Sequence, residues 1–147
     1  NPKDYWYLKQ SETETIEGVD DAGELDQLLS AMLKLGLRQT EIQDVFKTLG
    51  GVLELGNISF DVKSNSTEED SSQVANSEVL AKAAGLLAMD VESLEWLLTK
   101  RRIGRHSVVI IGRTVAEATN ARDGLSKMLY ANLFLWLIQR INMEVCC

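Results

Sequence analysis

Residues 100–113 concentrate the chemistry of this chain. Lys100, Arg101, Arg102, Arg105 and Arg113 fall within them with no acidic residue between. The net charge is −7, so the remainder carries −12 (−7 less +5). Five cations against an acidic background suit recognition of an acidic protein surface, because opposite charge steers encounter and fixes orientation. His106, in the same run, is the sole histidine, and the two cysteines, Cys146 and Cys147, are adjacent. One imidazole with no second histidine and no nearby thiol builds neither a metal site nor a nucleophilic dyad. No Gly-x-x-x-x-Gly-Lys-Ser/Thr occurs, so a backbone cradle for nucleotide phosphates is absent from the sequence. Within the run, Arg105, His106, Arg102 and Arg101 are the contact candidates. A solvated loop whose arginines neutralise nearby acids is the plainer alternative, and Arg101, Arg102 and Arg113 also suit structural roles.

The run must be held by its neighbours. Val108-Val109-Ile110-Ile111 is β-branched and lies between Gly104 and Gly112, which predicts a β-hairpin with its tip near Gly104-Arg105-His106-Ser107. Thr114-Val115-Ala116-Glu117 reads as a capping box opening a final helix that runs to about residue 143, roughly 45 Å at 1.5 Å per residue. This helix begins charged, at Arg122, Asp123 and Lys127, and becomes apolar nearly all round between Met128 and Ile138. A helix without a polar face is buried. Trp136 and its neighbours are therefore expected in a core, and the chain reads as a piece of something larger. Asp123 and Lys127 have the spacing of an i,i+4 pair, and Arg122 is suited to tie the helix to a neighbouring element.

Upstream, Tyr5, Trp6, Tyr7 and Leu8 suggest an irregular segment docked by its aromatics. Asp20 or Asp21 caps a helix carrying Leu25, Leu28, Leu29, Met32 and Leu35, and Gly36 stops it. Thr40-Glu41-Ile42-Gln43 reads as a second capping box; its helix presents Ile42, Val45, Phe46, Leu49, Val52 and Leu53 and ends before Gly56. Gly50-Gly51 inside it suggests the close approach of another backbone. Ile58, Phe60 and Val62 alternate as in a short strand. Residues 64–76 are polar and acidic and read as a solvent loop. Ser77 and Asp90 then cap two helices, with Val79, Leu80, Ala83, Ala84 and Leu87 on the first and Leu94, Leu97 and Leu98 on the second. The fold class is mainly α, a helical subdomain with a small β-hairpin. The strongest apolar run is 11 residues, against about 20 for a membrane span. The acidic balance excludes general nucleic-acid binding, and cysteine usage fits a reduced, cytoplasmic setting.

These pieces resemble, in order, the myosin motor. Tyr5-Trp6-Tyr7-Leu8 and Gly18-Val19-Asp20-Asp21 are similar to the family's tyrosine-leucine and acidic pair ahead of a helix. Ala31-Met32 with Leu35-Gly36, and Val52-Leu53-Glu54-Leu55-Gly56-Asn57-Ile58-Ser59-Phe60, resemble its "AM..LG" and "VLHLGNI.F" patterns. Ala83-Ala84-Gly85-Leu86-Leu87 with Asp90, Leu94 and Leu98 matches the next helix pair. Ala121 to Lys127 resembles "ARDALAK". Leu129-Tyr130, Leu133-Phe134, Trp136-Leu137 and Arg140-Ile141-Asn142 match "LY..LF.WLV.RIN". Gly124 and Ser126 stand where the family favours alanine, and Glu54 where it favours histidine.

The resemblance implies that residues 1–147 form part of a motor domain, the upper subdomain of the actin-binding cleft. The parent would be a larger phosphate-loop motor fold whose central sheet is largely outside this chain. It implies an actin filament and the rest of the myosin head as partners, a place in the actin cytoskeleton, and Mg-ATP bound by the parent. The phosphate loop and both switches are missing from this sequence, so the chain alone is expected to hold no cofactor and to turn over no ATP. By this resemblance the basic hairpin corresponds to the family's cardiomyopathy loop, which touches actin, and this puts Arg105 and His106 foremost among the contact candidates; residues 64–76 correspond to a variable loop beside the cleft. A reading from another class is a free-standing helical adaptor that binds an acidic partner through residues 100–113.

Overall fold

The structure, a computed structural model, describes residues 1–11, 13, 15–64, 71–104 and 108–145. A 3₁₀ turn at Pro2–Asp4 leads to α1 (Asp21–Lys34), α2 (Gln39–Asn57), β1 (Phe60–Val62), β2 (Ser72–Val74), α3 (Ser77–Leu86), α4 (Val91–Thr99), β3 (Lys100–Ile103), β4 (Val109–Gly112) and α5 (Val115–Val145). The mainly helical class holds, with two small antiparallel hairpins, β1–β2 and β3–β4, where one was expected.

The final helix starts where its capping box directs. Glu117 N–H donates to Thr114 Oγ1 at 3.2 Å, and Thr114 N–H donates to Glu117 Oε2 at 3.0 Å, so two donors that the first turn leaves orphaned are satisfied. At 31 residues α5 is about 46 Å long. Asp90 caps α4 through Ser93 N–H at 2.8 Å. Gly36 ends α1 at φ +75°, with Leu37 N–H on Met32 O and Gly36 N–H on Leu33 O. The left-handed residue turns the chain so that Met32 and Leu37 are both buried in one cluster.

Several local expectations need correction. The capping box of α2 is shifted: Arg38, not Thr40, precedes the helix, and Glu41 reaches back to Arg38 N–H at 2.7 Å. The helix runs through Gly56 to Asn57. Asn76, not Ser77, stands at the start of α3; its side chain instead bridges Ser59 N–H and Asn57 O, at 3.0 and 2.8 Å. Ser72–Val74 is a strand paired with β1, Phe60 opposite Val74 and Val62 opposite Ser72. Its polar sequence hid it, since Ser71 and Ser72 are buried although they are serines. Ile58 and Phe60 are buried as expected, whereas Val62 is exposed. At Gly51 the atoms nearest to where a Cβ would stand belong to the Leu87 side chain, 2.6 Å away, so the C-terminal end of α3 packs on α2 with leucine against glycine.

Two hydrophobic clusters result. The larger joins Leu55, Ile58, Phe60, Leu80, Ala83, Ala84, Leu94, Leu98 and Ala118. The smaller is Met32, Leu37, Ile42 and Val45, with Leu133, Leu137 and Ile141 of α5 packed against it. The second half of α5 is not enclosed: Tyr130, Phe134, Leu135, Ile138 and Met143 are exposed, and Trp136 is 37% exposed rather than a core residue of this chain. Among the described residues no helix is long and apolar enough to cross a membrane.

Candidate partner-binding surface

The β3–β4 hairpin pairs Lys100 with Gly112, Arg101 with Ile111, Arg102 with Ile110 and Ile103 with Val109. Its base is fixed by backbone: Arg113 N–H donates to Thr99 O at 2.8 Å, and Arg113 O accepts from Ser72 N–H at 2.8 Å, which ties this hairpin to β2. Arg113 Nε donates to Lys100 O at 3.1 Å, so this arginine closes the base, as a structural role requires.

Arg101 and Arg102 are consecutive on a strand and so leave it on opposite faces. Arg101 turns toward the start of α5, where its Nη2 lies 3.2 Å from Glu117 Oε1. Arg102 lies over the indole of Trp96, its guanidinium carbon 5.3 Å from the ring centroid. Toward the tip the surface is apolar and open: Ile103, Val109 and Ile110 are 44, 50 and 51% exposed. Arg105 and His106, the foremost candidates from sequence, lie outside the described residues. An exposed apolar strip beside a cation is the composition of a protein-contact surface.

Below the hairpin, α5 is knotted to the rest of the chain by a polar network. Arg122 is 7% exposed. Its Nη1 donates to Ile58 O at 2.8 Å, and its Nε and Nη2 reach Asp123 Oδ1 at 2.8 and 2.7 Å. The expected tie from Arg122 to a neighbouring element is present. The expected Asp123–Lys127 pair is not; Asp123 is taken by Arg122 and by the Tyr7 hydroxyl, which donates to Oδ1 at 2.7 Å and lies 3.1 Å from Ser126 Oγ. Burial pushes the Tyr7 phenol above its usual pKa, with the Asp123 carboxylate adding to the shift and Ser126 opposing it. Trp6 N–H donates to Asn57 Oδ1 at 2.8 Å and Asn57 Nδ2 donates to Asp4 O at 2.9 Å, completing the docking of the aromatic segment.

Further out, Lys82 Nζ meets the buried carboxylate of Glu54 at 2.5 Å. Near the far end of α5, Arg140 bonds Glu41 Oε1 at 3.1 Å, Glu144 Oε1 at 2.6 Å and Gly36 O at 2.7 Å. Hydrogen bonds from Arg38 N–H, then from the Arg38 and Arg140 side chains, hold the Glu41 carboxyl at a pKa of about 2. Sequence reasoning missed Trp96, Glu117 as an ion-pair partner, Tyr7 as a hydrogen-bond donor and Asn57. The first two are separated from their arginines by helix and turn geometry that no local pattern encodes. Among the described residues no group of three or more metal-ligating side chains converges.

The described residues form a helical body that carries a basic and apolar hairpin at one end of a long helix. The family model described as "Myosin head (motor domain)" matches residues 1–147. Myosin-2 of Arabidopsis thaliana is 38% identical over 97% of this chain and 12% of its own length. Unconventional myosin heavy chain 6 of Caenorhabditis elegans is 38% identical over 95% of this chain and 7% of its own. Myosin IE heavy chain of Dictyostelium discoideum is 33% identical over the whole of this chain and 15% of its own. The chain belongs to the myosin motor-domain family. It is part of a myosin motor, and it spans between about a fifteenth and a seventh of the length of these relatives.

Proposed function

We propose that this chain forms the upper wall of the actin-binding cleft in a myosin head. In this reading the β3–β4 hairpin contacts the actin filament, and α5 couples that contact to an Mg-ATP site outside the chain. The whole of residues 1–147 serves as one subdomain, working in the cytoplasm on the actin cytoskeleton. The observation that carries the reading is the exposed basic hairpin mounted on the capped end of a 31-residue helix. A rod of about 46 Å moves as a body, so displacement at the hairpin is felt at its far end. Filament surfaces rich in carboxylates would draw Arg101, Arg102 and Arg105, and His106 follows them in sequence. The family match spans the hairpin as well as the body, which leaves the free-standing adaptor without an observation in its favour.

Co-sedimentation of the 147-residue chain with filamentous actin at low salt tests this. Arg102→Glu combined with Arg105→Glu is expected to weaken binding about tenfold or more, because each reversal turns attraction into like-charge repulsion. Unchanged binding would remove the hairpin from the contact. Phosphate release from Mg-ATP by this chain alone would contradict the division of labour.

A further inference from the structure

The two adjacent arginines of β3 are not equivalent. Arg101 is engaged within the chain through Glu117, whose other carboxylate oxygen caps α5. Arg102 contacts the Trp96 ring, and no carboxylate or carbonyl among the described residues takes its N–H groups. A contact with a ring leaves guanidinium N–H groups for other partners, and a planar fork held in this way can pair with a carboxylate through two parallel hydrogen bonds.

We propose that Trp96 is a positioning residue for the hairpin, holding the Arg102 guanidinium as a preoriented receptor for a carboxylate of the partner, while the Arg101–Glu117 pair anchors the opposite face of the strand to α5. The inference rests on the filament-contact reading above and assigns the roles within it. The strand is gripped from both sides: Trp96, on α4, meets one face, and Glu117, at the first turn of α5, meets the other. Rotation of β3 about its own axis would break one contact or the other, so the donor edge of Arg102 keeps one direction. Holding a long side chain before binding reduces the ordering cost at the moment of association. Trp96 is 37% exposed and its neighbours Leu94 and Leu98 fill the core, so the indole is available for this role and is not needed for packing.

Actin co-sedimentation with a small set of variants separates positioning from structure. Trp96→Leu, which keeps apolar bulk and loses the π face, is expected to weaken binding about two- to fivefold, and Trp96→Phe, which keeps a π face, to stay within about twofold of the parent. Added to Arg102→Ala, Trp96→Leu is expected to cause no further loss, since Trp96 acts through that side chain. Arg102→Ala is expected to weaken binding more than Arg101→Ala, a comparison that stands even if Trp96→Leu fails to fold. Equal losses for Leu and Phe, a Trp96→Leu loss that persists in Arg102→Ala, or a larger loss for Arg101→Ala would overturn the assignment alone. Absence of binding by the parent chain would overturn the filament-contact reading and the assignment with it.

Discussion

The two halves of α5 share one inward stripe and differ in everything around it. In the first half the buried positions are Ala118, Arg122 and Ser126, spaced by four, and none is large and apolar. Packing there is completed by other elements: the main cluster covers Ala118, and Ile58, Asp123 and Tyr7 satisfy the polar atoms. In the second half the stripe continues through Leu133, Leu137 and Ile141, all apolar and only partly buried, and the opposite face shows Phe134, Leu135 and Ile138. The first half is closed by this chain. The second is anchored along one edge and presents a broad apolar face. Apolar residues alone therefore do not mark where a helix is buried within a given chain; the covering elements decide it.

Substitutions can break this contrast. The largest effect is expected at Arg122. Arg122→Ala strips the partner from Ile58 O and leaves the half-buried Asp123 carboxylate without its cation, and should lower unfolding free energy by about 2–4 kcal/mol in urea titrations. Phe134→Ala, on the open face of the second half, should change it by under about 0.5 kcal/mol.

Glycines give a pair of opposite sign. Gly51→Ala drives a methyl into Leu87 and should destabilise by about 1–3 kcal/mol despite its better helix propensity. Gly124→Ala meets open space and should stabilise by about 1 kcal/mol. Thermal or urea unfolding of the two variants reads both.

The anchor of the second half should be sensitive to acid. Glu41 is held at about 2, below its ordinary 4.5. An unfolded chain therefore takes up this proton first. The contribution of Glu41 is present above pH 4.5, is lost as pH falls toward 2, and has gone below that. Unfolding followed from pH 5 to 2 should show this decline in the parent and a shallower one in Glu41→Gln. The smallest effect on stability is expected from Phe134→Ser, whose signature is reduced self-association in sedimentation velocity, because it breaks an exposed apolar surface.

Much of this contrast was legible in residue order. The capping box at Thr114 and Glu117, the stop at Gly36 and the β-branched arm of the basic hairpin rest on interactions within a few residues, and each is found. The strand at Ser72 was not legible, because it is set by pairing with β1 and packing on α4 and α5 and not by its own polar side chains. The Asp123–Lys127 pair failed for a related reason: helical spacing permits it, but Tyr7, 116 residues away in sequence, and the curled Arg122 occupy the carboxylate first. At the hairpin the charge run marked the arginines, while the division between Arg101 and Arg102 depended on Glu117 and Trp96, which only the folded chain brings to opposite faces of β3.

Hydrogen–deuterium exchange of the 147-residue chain with and without filamentous actin tests the central claim most directly. Amides of residues 100–104 and 108–113 should exchange more slowly on the filament, while those of residues 128–145 keep their rates. Protection confined to the apolar half of α5, with the hairpin unaffected, would contradict the account.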